Sequence, residues 1–305
     1  LQFWTTLATV SSIFLLLFVG CLARKTGALK SEDVSVVNSL LINLTMPAFI
    51  FVSTHNKPLT AQMIKVPVLG IGVELVVIGL AYIAGRALRL NGPTIGALIL
   101  VSTFGNTGFL GYPMVKAAFN GDRQAILTAV LFDSFAMALT LQTLGAAIAA
   151  ASSREKFSWS ATAQFLKTPL LPTTAIALAL RTVPVPTVIM NSLNFLAAGT
   201  IPLAMISVGL SLHYSSVKQM PVPIFVAMAL KLAVLPLLMS LIVPYAGVTG
   251  VVGKVAIVES ATPAAVFSGV IAGQFGANRD FAAAAIFVTT LVSAITIPAV
   301  LLILS

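Results

Sequence analysis

Hydrophobic residues run along this chain in long blocks, with neither the alternation of half-buried strands nor the single stripe of a soluble amphipathic helix. Ten blocks can be read, at about 3–23, 34–54, 64–88, 93–118, 124–151, 166–182, 188–212, 222–244, 250–275 and 280–304. A helix needs roughly 17–25 apolar residues to cross a hydrocarbon core about 30 Å thick, and these blocks have that length. The intervals between them are short, and the longest polar one, Ser152 to Gln164, carries Arg154, Glu155 and Lys156. The pattern predicts an all-α polytopic membrane protein of ten transmembrane helices, with residues 1–305 forming a single unit. The first block lacks a basic leader and is long enough to span, so it reads as a helix rather than a cleavable signal.

Two blocks are interrupted. Val101 to Val115 sits within the fourth, yet holds Gly105, Asn106, Thr107, Gly108, Gly111 and Pro113, and its glycines and Pro113 are expected to make the break. Ala256 to Gly269 sits within the ninth and holds Glu259, Ser260, Thr262 and Pro263. Backbone that unwinds at membrane depth must be buried in protein or line a wet cavity, because lipid offers its N–H and C=O groups no partners. Helices 4 and 9 are therefore expected to be broken and to cross at their unwound centres.

The two interruptions also correspond. A shift of 156 positions brings Thr26 onto Thr182, Asn38 onto Asn194, Phe119 onto Phe275, Arg123 onto Arg279 and Asn106 onto Thr262. Pro47 falls within one residue of Pro202. One five-helix unit repeated would enter the membrane from opposite sides, because five is odd, and two inverted five-helix repeats are expected. Interrupted helices at matching positions of such repeats point to a transporter site near the midplane.

Charge sets the orientation. Arg24, Lys25, Lys30, Arg86, Arg89, Arg154, Lys156, Lys167, Lys218 and Arg279 fall on one side, against Lys57, Lys65, Lys116, Arg123, Arg181 and Lys254 on the other. The positive-inside rule then places both termini outside the cell membrane, the bacterial inner membrane on this reading. The net charge of +9 is scattered through short loops, which excludes a nucleic-acid surface.

Composition agrees: 58% hydrophobic and 8% charged residues leave too little polar surface for a soluble protein. Cys21 is the single cysteine, and no Cys/His spacing suits a metal, so no cofactor is expected beyond Na⁺ or H⁺ as a coupling ion. The sequence carries no nucleotide-binding loop and no Ser–His or paired-aspartate signature, so an enzyme is not expected. The run Gly108-Phe-Leu-Gly-Tyr-Pro113 superficially matches part of a potassium filter but lacks the pore-loop context.

Asn106 and Thr107 offer a carboxamide and a hydroxyl where half-helix N-termini direct N–H groups, an arrangement that favours a carboxylate. The bland alternative is that they only cap the broken helix. Glu259, with Ser260, is the coupling-ion candidate; Na⁺ would suit Glu259 and Asn106 with neighbouring hydroxyls, and the alternative is a structural partner for unwound backbone. Asp133 is a third acid at membrane depth, ranked below Glu259 because no interrupted backbone is expected around it. Glu74 and Lys231 occupy similar depths in helices 3 and 8 and are expected to form a structural ion pair, Lys231 attracting the substrate being the alternative. Asp122 with Arg123, and Arg279 with Asp280, read as caps; His55 and His213 read as loop or interface residues.

These residues resemble the auxin efflux carrier family of membrane transporters, in its bacterial organic-anion branch. The resemblance rests on Gly105-Asn-Thr-Gly-Phe-Leu-Gly-Tyr-Pro113, Asn43-Leu-Thr-Met-Pro47 and Glu259 to Gly269, and with the hydropathy pattern it covers nearly the whole chain. It implies a fold akin to bile-acid sodium symporters, with a scaffold of helices 1, 2, 6 and 7 (about 3–54 and 166–212) and a transport domain of helices 3–5 and 8–10 (about 64–151 and 222–304). It further implies an elevator motion, and a homodimer through the scaffold helices is expected. The long loop of the plant carriers is absent between helices 5 and 6, which favours a compact bacterial member and argues against auxin as substrate. The substrate-binding set is then Gly105, Asn106, Thr107, Gly108, Pro113, Thr262 and Pro263. The expected function is secondary transport of a small organic anion; the alternative is a transporter-like receptor that binds without translocating.

Overall fold

A computed structural model describes residues 2–153, 169–212 and 220–304. Among them the secondary structure is helical, a single 3-10 turn at Ser31–Asp33 and twelve longer segments: α1 (Gln2–Thr26), α2 (Val34–Thr54), α3 (Ala61–Ala87), α4 (Gly92–Thr103), α5 (107–118), α6 (Arg123–Ser153), α7 (Leu170–Ala179), α8 (Thr187–Ser211), α9 (Pro221–Tyr245), α10 (Gly250–Ser260), α11 (Val266–Gln274) and α12 (Arg279–Leu304). Six of these, α2, α3, α6, α8, α9 and α12, are long and apolar enough to cross a membrane. Large apolar side chains point outward from them, Phe195 at 81% and Ile303 at 85% exposure, as an integral membrane protein requires of its lipid-facing surface. His213 and the polar interval around Arg154 to Lys156 lie outside the described residues.

The fourth and ninth blocks do break, and their pieces are α4 with α5 and α10 with α11. One detail differs from the sequence reading. Pro113 does not make the first break, which spans residues 104–106; it sits inside α5, two residues beyond the wide turn Thr107–Gly111.

Proline does leave another mark. Wide helical turns occupy Leu41–Thr45, Thr107–Gly111 and Leu230–Val234, and each is followed at the second position by a proline, Pro47, Pro113 and Pro236. A proline ring clashes with the carbonyl four residues back and donates no hydrogen bond, so the preceding turn opens. Two further wide turns in α6, Phe132–Ala138 and Leu141–Gly145, contain no proline. Here Thr140 and Thr143 hydroxyls bond back to the carbonyls of Ala136 and Leu139, competing with the helical ladder.

Packing sorts the helices. α1 lies along the second half of α8, and α7 and the first half of α8 pack on the second half of α2. The approach of α1 to α8 is close at Gly20 and Gly209, where the Cys21 thiol donates to the Gly209 carbonyl at 3.3 Å. The larger buried apolar cluster joins α3, α4, α6, α9, α11 and α12, a second joins α1, α2, α5, α7 and α8 with the start of α6 and the end of α12, and α10 contributes to both.

At the caps, the Asp122 side chain accepts the Ala125 N–H at 2.8 Å, as expected of the start of α6. The start of α12 differs. Asn278, rather than Asp280, caps it by accepting the Phe281 N–H at 3.0 Å. His55 ends α2, buried, with Nε2 donating to the Val183 carbonyl at 2.8 Å.

Candidate functional site: a crossing of two broken helices

The two unwound segments meet as a short antiparallel pair. Asn106 N–H donates to the Pro263 carbonyl at 2.7 Å, and Ala265 N–H donates to the Phe104 carbonyl at 2.9 Å, on either side of Gly105 and Ala264. Each break thus supplies partners to the backbone groups that unwinding exposes in the other, which is the condition for irregular backbone away from water. Gly105 is dictated by contact: a Cβ there would press on the Thr262 hydroxyl and, at 3.0 Å, on the Lys231 ammonium. Two further N–H groups are met from neighbouring helices. Gly105 N–H lies 3.1 Å from the Met137 sulfur on α6, and Ala264 N–H donates to Thr289 on α12 at 3.2 Å.

Beyond the first break the chain resumes with Thr107, whose hydroxyl donates to Asp133 Oδ1 at 2.5 Å. One turn later the Tyr112 hydroxyl donates to Asp133 Oδ2 at 2.7 Å. Gly108 packs against the same carboxylate, since a Cβ there would meet Oδ2 at 3.2 Å. Asp133, read from sequence as remote from interrupted backbone, is therefore the buried acceptor on which the resumed helix is seated. Its own position follows from the wide turn Phe132–Ala138.

Glu259 closes α10 and is fully buried, and neither carboxylate oxygen has a hydrogen-bond partner among the described residues. Gly111 is pressed onto it so closely that a Cβ would collide with the carboxylate. Thr262 donates to the Glu259 backbone carbonyl at 2.7 Å and Ser260 to that of Ile257 at 2.7 Å, so both hydroxyls serve the end of the helix. Lys231, also buried, donates to the Ser260 carbonyl at 2.8 Å, a cation at a helix C-terminus where the carbonyls converge. Its charge is felt by two carboxylates, Glu74 and Glu259. Glu74 accepts from the Thr140 hydroxyl at 3.1 Å.

A small cavity of about 50 Å³ opens at the crossing, room for a water or two. Gly105, Asn106, Thr107, Gly108 and Asp133 line it, whereas Pro113, Thr262, Pro263, Glu259 and Ser260 are not on its wall. The Asn106 Nδ2 is buried there without a partner among the described residues. Opposite it stand residues that the sequence reading passed over. Met46 and Leu170 approach from α2 and α7, Gln142 from α6, and Phe109 and Phe267 meet edge-to-face across the two breaks at 6.0 Å. Of these, Met46 was signalled by the Pro47 that widens the turn before it; a buried Gln142 within an apolar helix was the second available signal.

Comparison with known proteins agrees with this architecture. The chain is 30% identical over 294 residues to an uncharacterised transporter of Methanocaldococcus jannaschii, covering 93% of this chain and 94% of that one. It is 26% identical over 293 residues to an uncharacterised transporter of Methanothermobacter thermautotrophicus, covering 95% of each. A putative malonate transporter of Rhizobium meliloti is 25% identical over 303 residues, covering 96% of this chain and 93% of its own length. The membrane transport protein family matches from residue 5 to residue 301, the family to which the auxin-carrier resemblance pointed. This chain is a member of that family, an integral membrane transporter.

Proposed function

We propose that the protein is a secondary transporter that moves a small carboxylate by alternating access, with malonate the first substrate to try. The observation that carries this reading is the buried, partnerless Asn106 amide on the wall of the cavity at the crossing. An N–H donor without an acceptor at membrane depth is costly, and an anionic guest relieves that cost. The half-helix beginning at Thr107 adds its N-terminal partial charge to the same point. The name of the Rhizobium meliloti relative lends the choice of malonate its support.

In this reading the chain forms ten spans as two inverted five-helix repeats, both termini outside the inner membrane. α1, α2, α7 and α8 are the scaffold, dimerising with a second copy, and the remaining helices carry the crossing past it as an elevator. The packing of α1 on α8, and of α7 and α8 on α2, supports grouping these four, with α5 and the start of α6 as the surface on which the two bodies meet. The Glu259 carboxylate, with both oxygens unpartnered, is the place where a co-transported proton or Na⁺ would be held.

The test is malonate uptake into proteoliposomes, paired with thermal stabilisation of the purified protein by a panel of carboxylates. Asn106→Ala removes a hydrogen bond to a charged guest, worth about 1.5–3 kcal/mol, so affinity is expected to fall roughly 10- to 100-fold. The variant should elute and melt as a folded protein. Wild-type affinity in Asn106→Ala would remove the amide from the site.

A further inference from the structure

Three cavities lie along α2. The central one is met by Met46 in the middle of the helix. A cavity of about 360 Å³ sits at its C-terminal end, against Val52, His55 and Asn56. A third, of about 260 Å³, sits at its N-terminal end, against Val34. The 21 residues of α2 give about 30 Å of helix at 1.5 Å per residue, so the outer cavities occupy opposite ends of the bundle. α8 agrees, touching one cavity through Asn191 and the other through Ser211.

The outer cavities are also copies of each other. The 156-residue shift carries His55 onto Ser211, Asn56 onto Leu212, Val34 onto Met190 and Arg123 onto Arg279, and all eight residues line one cavity or the other. Each cavity has a wall from α2 and α8, and each has an arginine from the first turn of α6 or α12 facing that wall. The Arg123 guanidinium has no hydrogen-bond or ion-pair partner among the described residues. Its neighbour Asp122 is occupied in capping α6.

The copies differ in lining. Around Arg123 stand His55, Asn56, Asn191 and Asn194, where the Arg279 cavity has Leu212, Ile286 and Phe287. A planar guanidinium with amide donors around it matches the geometry of a carboxylate, which accepts paired N–H bonds. The Asn194 amide is partly engaged, donating to the Met190 carbonyl at 2.8 Å; its oxygen and the Asn191 side chain have no such bond among the described residues.

We propose that the Arg123 cavity is a peripheral carboxylate-binding site that captures the anion at one end of α2, ahead of the central crossing. The assignment of a carboxylate rests on the transport reading given above. The polar lining makes the capture one-sided: the Arg123 end receives hydrophilic anions and the Arg279 end, with its apolar wall, holds them less well.

The experiment reads the cavity without requiring transport. In full-length protein carrying Cys21→Ser, Asn191→Cys places a thiol on the cavity wall. Its reaction rate with a negatively charged methanethiosulfonate reagent is compared with that of a positively charged one of similar size, each normalised to a free thiol. A positive cavity concentrates the anion, so a preference of roughly tenfold for the negative reagent is expected. Arg123→Gln should bring the ratio to about one, Arg123→Lys should keep much of it, and malonate should slow labelling of the parent. No preference in the parent, a preference that Arg123→Gln leaves unchanged, or labelling that neither malonate nor acetate slows each overturns the proposal. Uptake by the wild type and by Asn106→Ala is measured alongside. Failed labelling with intact, Asn106-dependent uptake sinks the peripheral site alone, whereas successful labelling without carboxylate uptake supports the site and sinks the transport reading.

Discussion

Asp133 and Glu259 are two buried carboxylates at one crossing, and they are treated in opposite ways. Asp133 accepts from Thr107 and Tyr112 and lies on the cavity wall. Glu259 is off the wall, pressed by Gly111, and neither of its oxygens is partnered among the described residues. A satisfied buried carboxylate fixes geometry: the helix resuming at Thr107 is seated on it. An unsatisfied one is expensive, and whatever neutralises it becomes coupled to the local arrangement. The two acids therefore differ in kind: one is bonded into the shape of the crossing, and the other keeps a carboxylate that no hydrogen bond among the described residues satisfies.

The sharpest way to break this comparison is through the glycines that face each acid. Gly111→Ala forces a methyl into the Glu259 carboxylate, and overpacking of this kind typically costs about 1–3 kcal/mol. A markedly lower melting temperature and loss of uptake are expected, with partial recovery when Glu259→Ala removes the obstacle. Gly108→Ala meets Asp133 at 3.2 Å and the Met46 methyl at 3.1 Å, so a smaller loss is expected. Equal melting temperatures for Gly108→Ala and Gly111→Ala would mean that the Glu259 side chain yields freely.

Next in size are the acids themselves. Glu259→Gln has the same shape and removes the charge, so stability should hold or rise, while uptake should lose its response to imposed Na⁺ and H⁺ gradients. Asp133→Asn weakens two hydrogen bonds to a charged acceptor, and a loss of about 1–2 kcal/mol is expected, with any gradient response retained. A gradient response that survives Glu259→Gln and vanishes in Asp133→Asn would exchange the two roles.

How much of this was written in the sequence depends on the range of the interaction. The helical blocks and the two breaks were legible because hydropathy and clustered Gly, Asn and Pro act on the residues that carry them. Asn106 and Glu259 stood out as polar groups in apolar runs. Pro113 misled, since inside α5 it widens the turn before it without ending the helix, and the chain opens seven residues earlier at Asn106. Asp133 was underrated because its partners, Thr107 and Tyr112, come from a different helix, and no local pattern records which helices meet. The same holds for Met46 and Leu170, which reach the cavity from helices that carry no break. Lys231 was found as a charge, yet its bond to the Ser260 carbonyl depends on how α9 and α10 pack.

The smallest expected effect comes from Tyr112, which touches both sides of the division. Its hydroxyl donates to Asp133, while its ring stacks on Phe49 of α2 with centroids 5.3 Å apart. Tyr112→Phe keeps the ring and removes one hydrogen bond, so a loss of about 1 kcal/mol is expected in the melt, with uptake close to that of the wild type. Because Asp133→Asn already weakens that bond, the double variant should cost less than the sum of the two single ones. Additive losses would mean that Tyr112 acts through Phe49 and α2, and the seat of the resumed helix would then be Thr107 alone. The ring and the hydroxyl can be separated in the same series, since Phe49→Leu removes the stack and leaves the Asp133 bond in place. If α2 belongs to the scaffold and Tyr112 to the moving body, Phe49→Leu alters the rate of uptake more than it alters the melt, and Tyr112→Phe does the reverse.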